Sequence, residues 1–299
     1  MVHENEVIRQ LRQRVRDPAA MLGIGDDCCV WTPGGRTCLS TDTIVEGRHF
    51  RCDDEPALIG RKAAGAALSD LAAMGAKPVG ATVALTCPVR WDALAVMEGL
   101  LAELERHQCP LLGGDTTGGN DLVITVTVWG EAVATAHGPG RLVLRSGGQV
   151  GDLLIVTGPL GGSLQRGRHL RPEPRFAEGQ WLAANPYTHA LMDLSDGLAS
   201  DALKLAQASG CGCLLLPAQV PVHADVPEMS DQPKAACCDG EDFELLAAVA
   251  AEHWPAMQLA WPFAQGLATV GWLIDQPGAF REDHHGRVVP LDWQGYEHR

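Results

Sequence analysis

Between Pro56 and Gly75 the chain carries the apolar and small residues of an interior helix, with an aspartate set among them. Ile59, Ala63, Ala66, Asp70 and Met74 recur at steps of four, three, four and four, which is the spacing of one helical stripe. An ionised carboxylate on a buried stripe costs several kcal/mol unless a cation meets it. Asp70 therefore calls for a metal ion or an arginine partner, unless the phase of the helix turns it to solvent. Asp54 is the candidate N-cap, Pro56 falls in the first turn, and Gly75 followed by Pro78 closes the far end.

Around this helix the pattern alternates between two periods. Arg36–Asp42, Val79–Thr86 and Leu122–Trp129 read as strands, the last being β-branched and strictly alternating. Helices are expected at Glu4–Val15 and from Trp91 to Arg106, the second with Leu94, Met97, Leu101 and Leu104 on one stripe. From Ala136 to Gly151 glycine and proline accumulate, as in a crossing between domains. A second series follows, with strands at Leu153–Thr157, His189–Leu194, Cys213–Leu216, Leu245–Ala250 and Ala268–Ile274 and a helix at Leu198–Ser209. This order predicts an α/β (α+β) fold of two mixed domains, residues 1–137 and 138–299.

The chain carries 23 Lys+Arg against 37 Asp+Glu, a formal charge of −14, which disfavours nucleic acid and anionic membrane surfaces. No run approaches the roughly 18 apolar residues of a membrane span, and the acidic start at Met1-Val-His-Glu4 does not resemble a secretory leader. The ten cysteines lack a Cys-x-x-Cys pair and read as free thiols in a cytoplasmic protein, not as a disulfide framework or zinc site. An acidic protein that binds an anionic substrate needs a basic pocket or bound cations.

Asp70 has company. Gly25-Asp-Asp27, Ser40-Thr41-Asp42-Thr43, Gly113-Gly114-Asp115-Thr116-Thr117 and Asp193-Leu-Ser195-Asp196-Gly197 each set an aspartate beside a small residue or hydroxyl at the expected end of an element. Any one of them is an ordinary turn composition. Together they form the oxygen-rich donor set that Mg²⁺ prefers and shares with substrate phosphates, which points to phosphoryl transfer. The familiar phosphate loops are missing. Gly162-Ser-Leu-Gln-Arg-Gly167-Arg168-His169 has P-loop glycine spacing but lacks its lysine and hydroxyl, and Gly23-Ile-Gly25 lacks the third glycine of a dinucleotide fingerprint. Neither a Gly-x-Ser-x-Gly elbow nor a His-Glu-x-x-His pair is present.

These segments, with Gly47-Arg-His49-Phe50, Leu68-Ser-Asp70-Leu-Ala-Ala-Met-Gly75, Arg145-Ser-Gly147, Gly240-Glu241-Asp242-Phe-Glu244 and Asp292-Trp293-Gln-Gly-Tyr296, occur in the order found in the thiamine-monophosphate kinase family. The chain resembles that family over nearly its whole length. The resemblance implies domains of the aminoimidazole ribonucleotide synthetase-like type, a homodimer whose N-terminal sheets pair, and ATP-dependent phosphorylation of thiamine monophosphate to thiamine diphosphate. It also implies Mg²⁺ at Asp27, Ser40, Thr41, Asp42, Asp70, Asp115, Asp193 and Asp196. ATP contacts would fall at Gly114, Asp115, Arg145 and Ser195, and contacts to the thiamine phosphate at His49, Glu241, Asp242 and Trp293. Trp293 has a flat face suited to a cationic thiazolium, or else is a packed C-terminal anchor.

The expected chemistry is direct in-line transfer. An acceptor phosphate is largely anionic at neutral pH, so screening and positioning outweigh general-base catalysis. In that scheme Asp42, Asp70 and Asp115 hold Mg²⁺ on the polyphosphate and Arg145 neutralises charge. Two departures from the family stand out: only Pro159–Arg168 fills a space where relatives carry a helix, and His107 replaces an aromatic residue. Another ATP-using synthetase of the superfamily, or a nucleotide-binding protein without turnover, is the competing reading.

Overall fold

The computed structural model describes residues 29–31, 36–133 and 140–295. The candidate helix Glu4–Val15 and the segment ending at Asp27 lie outside them. Strands β1 (Cys29–Trp31), β2 (Thr37–Val45), β3 (Ala76–Thr86), β4 (Leu111–Thr117) and β5 (Val123–Ala132) form one sheet in the order β1-β2-β5-β3-β4. β5 runs antiparallel to both its neighbours, while the edge strand β4 runs parallel to β3. The alternation that marked Leu122–Trp129 puts Ile124, Val126 and Val128 on the buried face, where they meet Ile44, Val83 and Leu85.

That face is covered by helices α1 (Pro56–Ala73) and α2 (Ala93–Arg106). The helices approach until their backbones touch. A Cβ added at Gly60 would lie 1.8 Å from the Val96 carbonyl oxygen, and one at Gly99 the same distance from that of Ala57. Helix α1 is buried on nearly all sides, because its other flank packs against the C-terminal half of the chain.

The C-terminal half builds a seven-stranded sheet from β6 (Leu153–Val156), β7 (Thr188–Asp193), β8 (Gly212–Leu215), β9 (Leu245–Val249), β10 (Ala268–Ile274), β11 (Ala279–Glu282) and β12 (Val288–Pro290). Their order is β12-β11-β8-β10-β6-β9-β7. Helices α3 (Phe176–Ala184), α4 (Leu198–Ala208), α5 (Gln232–Cys238) and α6 (Trp254–Ala260) pack around it. The two mixed α/β layers expected from the sequence are therefore present.

Several local expectations are corrected. Asp54 does not cap α1; it turns back to accept the Arg51 N–H at 2.7 Å, and Glu55 takes the cap position without a side-chain bond. The stripe of α2 is rotated, with Val96, Leu100 and Leu104 inward and Leu94 exposed, since close backbone packing at Gly99 sets its phase. Ser40–Thr43 lies in the middle of β2 instead of at a strand end, and Gly113–Thr117 belongs to strand β4 instead of preceding a strand. The short elements α3, α5, α6, β11 and β12 carry too few residues for a periodic signal. No helix among the described residues is long and apolar enough to cross a membrane.

Candidate active site

A cleft of about 240 Å³ opens where α1 passes between β2 and the ends of the C-terminal elements. Asp42, Asp70, Asp193 and Asp196 all line it, together with His49, Ser195 and Glu241. Segments more than a hundred residues apart thus converge on one place.

Strand geometry explains the contribution of β2. Side chains alternate across a strand, so Ser40 and Asp42 share the helix-facing side with Cys38 and Ile44. Ser40 Oγ donates to Asp70 Oδ2 at 2.5 Å, and the residue just before Asp70 on α1, Ser69, donates through its Oγ to Asp193 Oδ2 at 2.7 Å. Neighbouring hydroxyls thereby orient two carboxylates contributed by different halves of the chain. Asp70 is half-buried, so the phase of α1 neither hides it fully nor sends it into solvent. Thr41 reaches the cleft only at its edge; its hydroxyl lies 2.9 Å from that of Thr127 on the opposite face of the sheet.

His49 sits in the turn after β2, where its Nδ1 accepts the Val45 N–H at 3.0 Å. That bond leaves the proton of the neutral ring on Nε2. Asp196 opens the turn before α4 and pairs with Lys204, which also donates to Asp201 at 2.9 Å. Asp201 is fully buried; burial pushes its carboxyl up to about 6, against the pull of Lys204. Arg145 also draws that carboxyl down, and it is not among the residues that line the cleft.

Other expected residues fall elsewhere. Asp115 is exposed on β4, in register with Ala84, Thr125 and Thr43, so it shares the sheet face opposite Asp42. Three strand spacings, roughly 14 Å, also separate β4 from β2. Gly114 stands on that same edge, its absent Cβ 2.1 Å from the Val83 carbonyl oxygen. Asp242 points away from Glu241, accepting the Gly161 N–H at 3.0 Å and Arg168 Nη2 at 2.9 Å. Burial pushes Asp242 up to about 7 in spite of Arg168. Glu244 is tied to Thr157 and Arg175, so Glu241 alone of that acidic segment faces the cleft. Trp293 packs at the edge of the C-terminal core with the Arg281 guanidinium 4.5 Å from its ring centroid, consistent with an anchor. Asp27 lies outside the described residues.

The P-loop-like segment has its leading N–H groups and Arg168 engaged by carboxylates. Its Gly162 N–H and that of the preceding Gly161 donate to Asp239 and Asp242, and Arg168 is engaged by Asp225 and Asp242. His107 caps α2 and lies 3.1 Å from Glu103, well away from the cleft.

The structure adds lining residues not singled out from the sequence: Arg48, Lys62, Leu164, Asp239 and Phe243. Lys62 had a signal, because it lies two turns before Asp70 on the same face of an apolar helix. The donor chemistry is all hard oxygen, as Mg²⁺ requires. Among the described residues no three acidic, histidine or cysteine groups draw together into a ready-made metal cage. A phosphate-sharing Mg²⁺ site needs only one or two carboxylates, so the donor set fits that kind of ion.

Comparison with known proteins bears on the whole chain. Residues 25–132 match the model of the AIR synthase related protein, N-terminal domain. A curated thiamine-monophosphate kinase of Salmonella typhimurium is 36% identical, with 92% of this chain and 91% of the relative covered. That of Bacillus subtilis is 32% identical with 99% of both covered. The solved structure described as "AaThiL complexed with AMPPCP and TMP" superposes with a TM-score of 0.84 at 25% identity, covering 100% of this chain and 97% of that one. At 36% and 32% identity over nearly the whole of both chains, the chain belongs to the thiamine-monophosphate kinase family.

Proposed function

We propose that this protein transfers the γ-phosphoryl group of ATP to thiamine monophosphate, forming thiamine diphosphate. The observation that carries the reading is the convergence of Asp42 and Asp70 from one half of the chain with Asp193 and Asp196 from the other around a single cleft. Such a cleft repels the phosphate groups of both substrates unless cations intervene. Asp42 and Asp70, with Asp193 and Asp196, are the residues to hold Mg²⁺, which supplies charge neutralisation for the polyphosphate when bound.

The chain's own groups do the rest. Ser40 and Ser69 hold two of the carboxylates in fixed rotamers, so little reorganisation is needed when the phosphates arrive. His49 and Glu241 stand on the acceptor side, the negative charge of Glu241 suited to a cationic thiazolium. Arg145 and Ser195 serve the donor side. The acceptor phosphate is its own nucleophile near neutral pH, so alignment with the γ-phosphorus is the central task.

We also place a domain boundary at residues 137/138 and read the protein as a homodimer. The exposed face of the first sheet carries Thr41, Thr43, Thr125, Thr127 and Trp129 around hydroxyl pairs, a surface able to meet its own copy. Pairing there would bring Asp115 to the interface. The unbridged thiols of the described cysteines suit a reducing, cytoplasmic setting.

Incubation with ATP, Mg²⁺ and thiamine monophosphate, followed by chromatography, should show thiamine diphosphate accumulating as ADP forms. ADP release without thiamine diphosphate would refute the acceptor. Chelation with EDTA should abolish turnover and added Mg²⁺ restore it.

A further inference from the structure

We propose that Lys62 is a positioning residue for the acceptor side of the cleft. The inference rests on the kinase reading above, which puts His49 and Glu241 beside thiamine monophosphate. Lys62 is the largest fully buried side chain of the described residues, with 1% exposure, yet it lines the cleft. Its ammonium lies 2.7 Å from the His49 carbonyl oxygen, 2.6 Å from Glu241 Oε1 and 2.9 Å from His169 Nδ1. An ammonium has three N–H donors, and these three acceptors take them all when His169 is neutral. None remains for a phosphate. Lys62 therefore acts through its neighbours and not by gripping substrate.

Those neighbours come from three separate segments: the turn after β2, the loop following β6, and the acidic stretch before β9. Lys62 is the common point at which they meet. The His169 ring also lies beside the carboxylate, its Nδ1 3.3 Å from Glu241 Oε2, so the Lys62, Glu241 and His169 side chains meet at one point. Burial works to raise the Glu241 carboxyl, but His169 and Lys62 overcome it and hold it below the usual range, as an anion.

The backbone provides an independent sign that this geometry is imposed. Glu241 has φ +53° and Phe243 has the same value, a left-handed conformation that residues with a Cβ seldom adopt. The Glu241 N–H donates to the Ser195 carbonyl oxygen at 2.7 Å, which anchors the strained turn from behind. With its main chain tied to Ser195 and its carboxylate to Lys62, Glu241 has one way to face the cleft. The same ammonium sets the position of the His49 main chain, and with it the ring.

Steady-state kinetics of Lys62→Met, Glu241→Gln and the double variant test this, together with calorimetric titration of thiamine monophosphate. Lys62→Met should raise KM for thiamine monophosphate at least tenfold and leave KM for ATP within twofold. If the buried carboxylate left behind prevents folding, the double variant carries the same expectation, because it removes that lone charge. Where all three fold, the double variant should bind no more weakly than the worse single one, since both act through one contact.

An unchanged KM for thiamine monophosphate in an active Lys62 variant overturns the proposal. So does a parallel rise in both KM values, which would mark a merely structural role. If the wild-type protein forms no thiamine diphosphate, the kinase reading fails and this inference with it. An active wild type with an unaffected variant sinks the inference alone.

Discussion

A carboxylate on an interior helix keeps its charge only where the surroundings repay the lost hydration, and Asp70 shows how this chain arranges that. The Ser40 hydroxyl meets one oxygen, and the cleft gives the group access to solvent and ligand. Asp70→Asn should lower turnover about a hundredfold or more, because the amide cannot hold a divalent cation as an anion does. Stability should change little, since size and shape are kept; kinetics with a parallel melting curve checks both. Ser40→Ala removes only the orienting bond and should cost about tenfold in turnover with the Mg²⁺ requirement intact.

At the level of elements, the packing of α1 against α2 decides where Asp70 and Lys62 point. The helices touch through Gly60 and Gly99, and a methyl group at either position would collide with a main-chain carbonyl of the other helix. Gly60→Ala should therefore destabilise the protein by about 1–3 kcal/mol and lower Tm by several degrees. Activity should fall more than stability alone accounts for, since displacement of α1 moves both cleft residues; assays well below the melting transition separate the effects. The acidic segment 240–244 divides its labour, with Glu241 in the cleft and Asp242 and Glu244 binding loop and helix behind it. Asp242 is raised from 3.8 to about 7 by burial, so its neutral form is the one the fold favours. Its contribution to stability is present below about pH 4 and is lost as pH rises through about 7. Asp242→Asn should flatten the pH dependence of denaturant unfolding across that window.

Across the whole molecule, the functional surfaces are shared between the two sheets. The cleft takes residues from both halves, and the outer face of the first sheet is the surface that the homodimer reading uses. Thr127→Arg places a charge in the middle of that face without touching the cleft. If the homodimer reading holds, sedimentation should show at least a tenfold weaker self-association, because like charges would oppose each other across a two-fold axis.

Much of this could be read from the residues alone. Alternation in Leu122–Trp129, glycine and proline at element ends, and an aspartate on an apolar helix are local signals, and local signals survive in any context consistent with the fold. Asp42, Asp70, Asp193 and Asp196 were legible because charge among small and apolar residues is costly wherever it lies. Which neighbours answer that cost is a long-range matter. Sequence order cannot tell that Asp115 sits across a sheet from Asp42, that Glu241 faces the cleft while Asp242 turns its back, or that one buried lysine joins three distant segments. Strand register and helix approach decide these, since they are set by packing between residues that the chain itself keeps far apart.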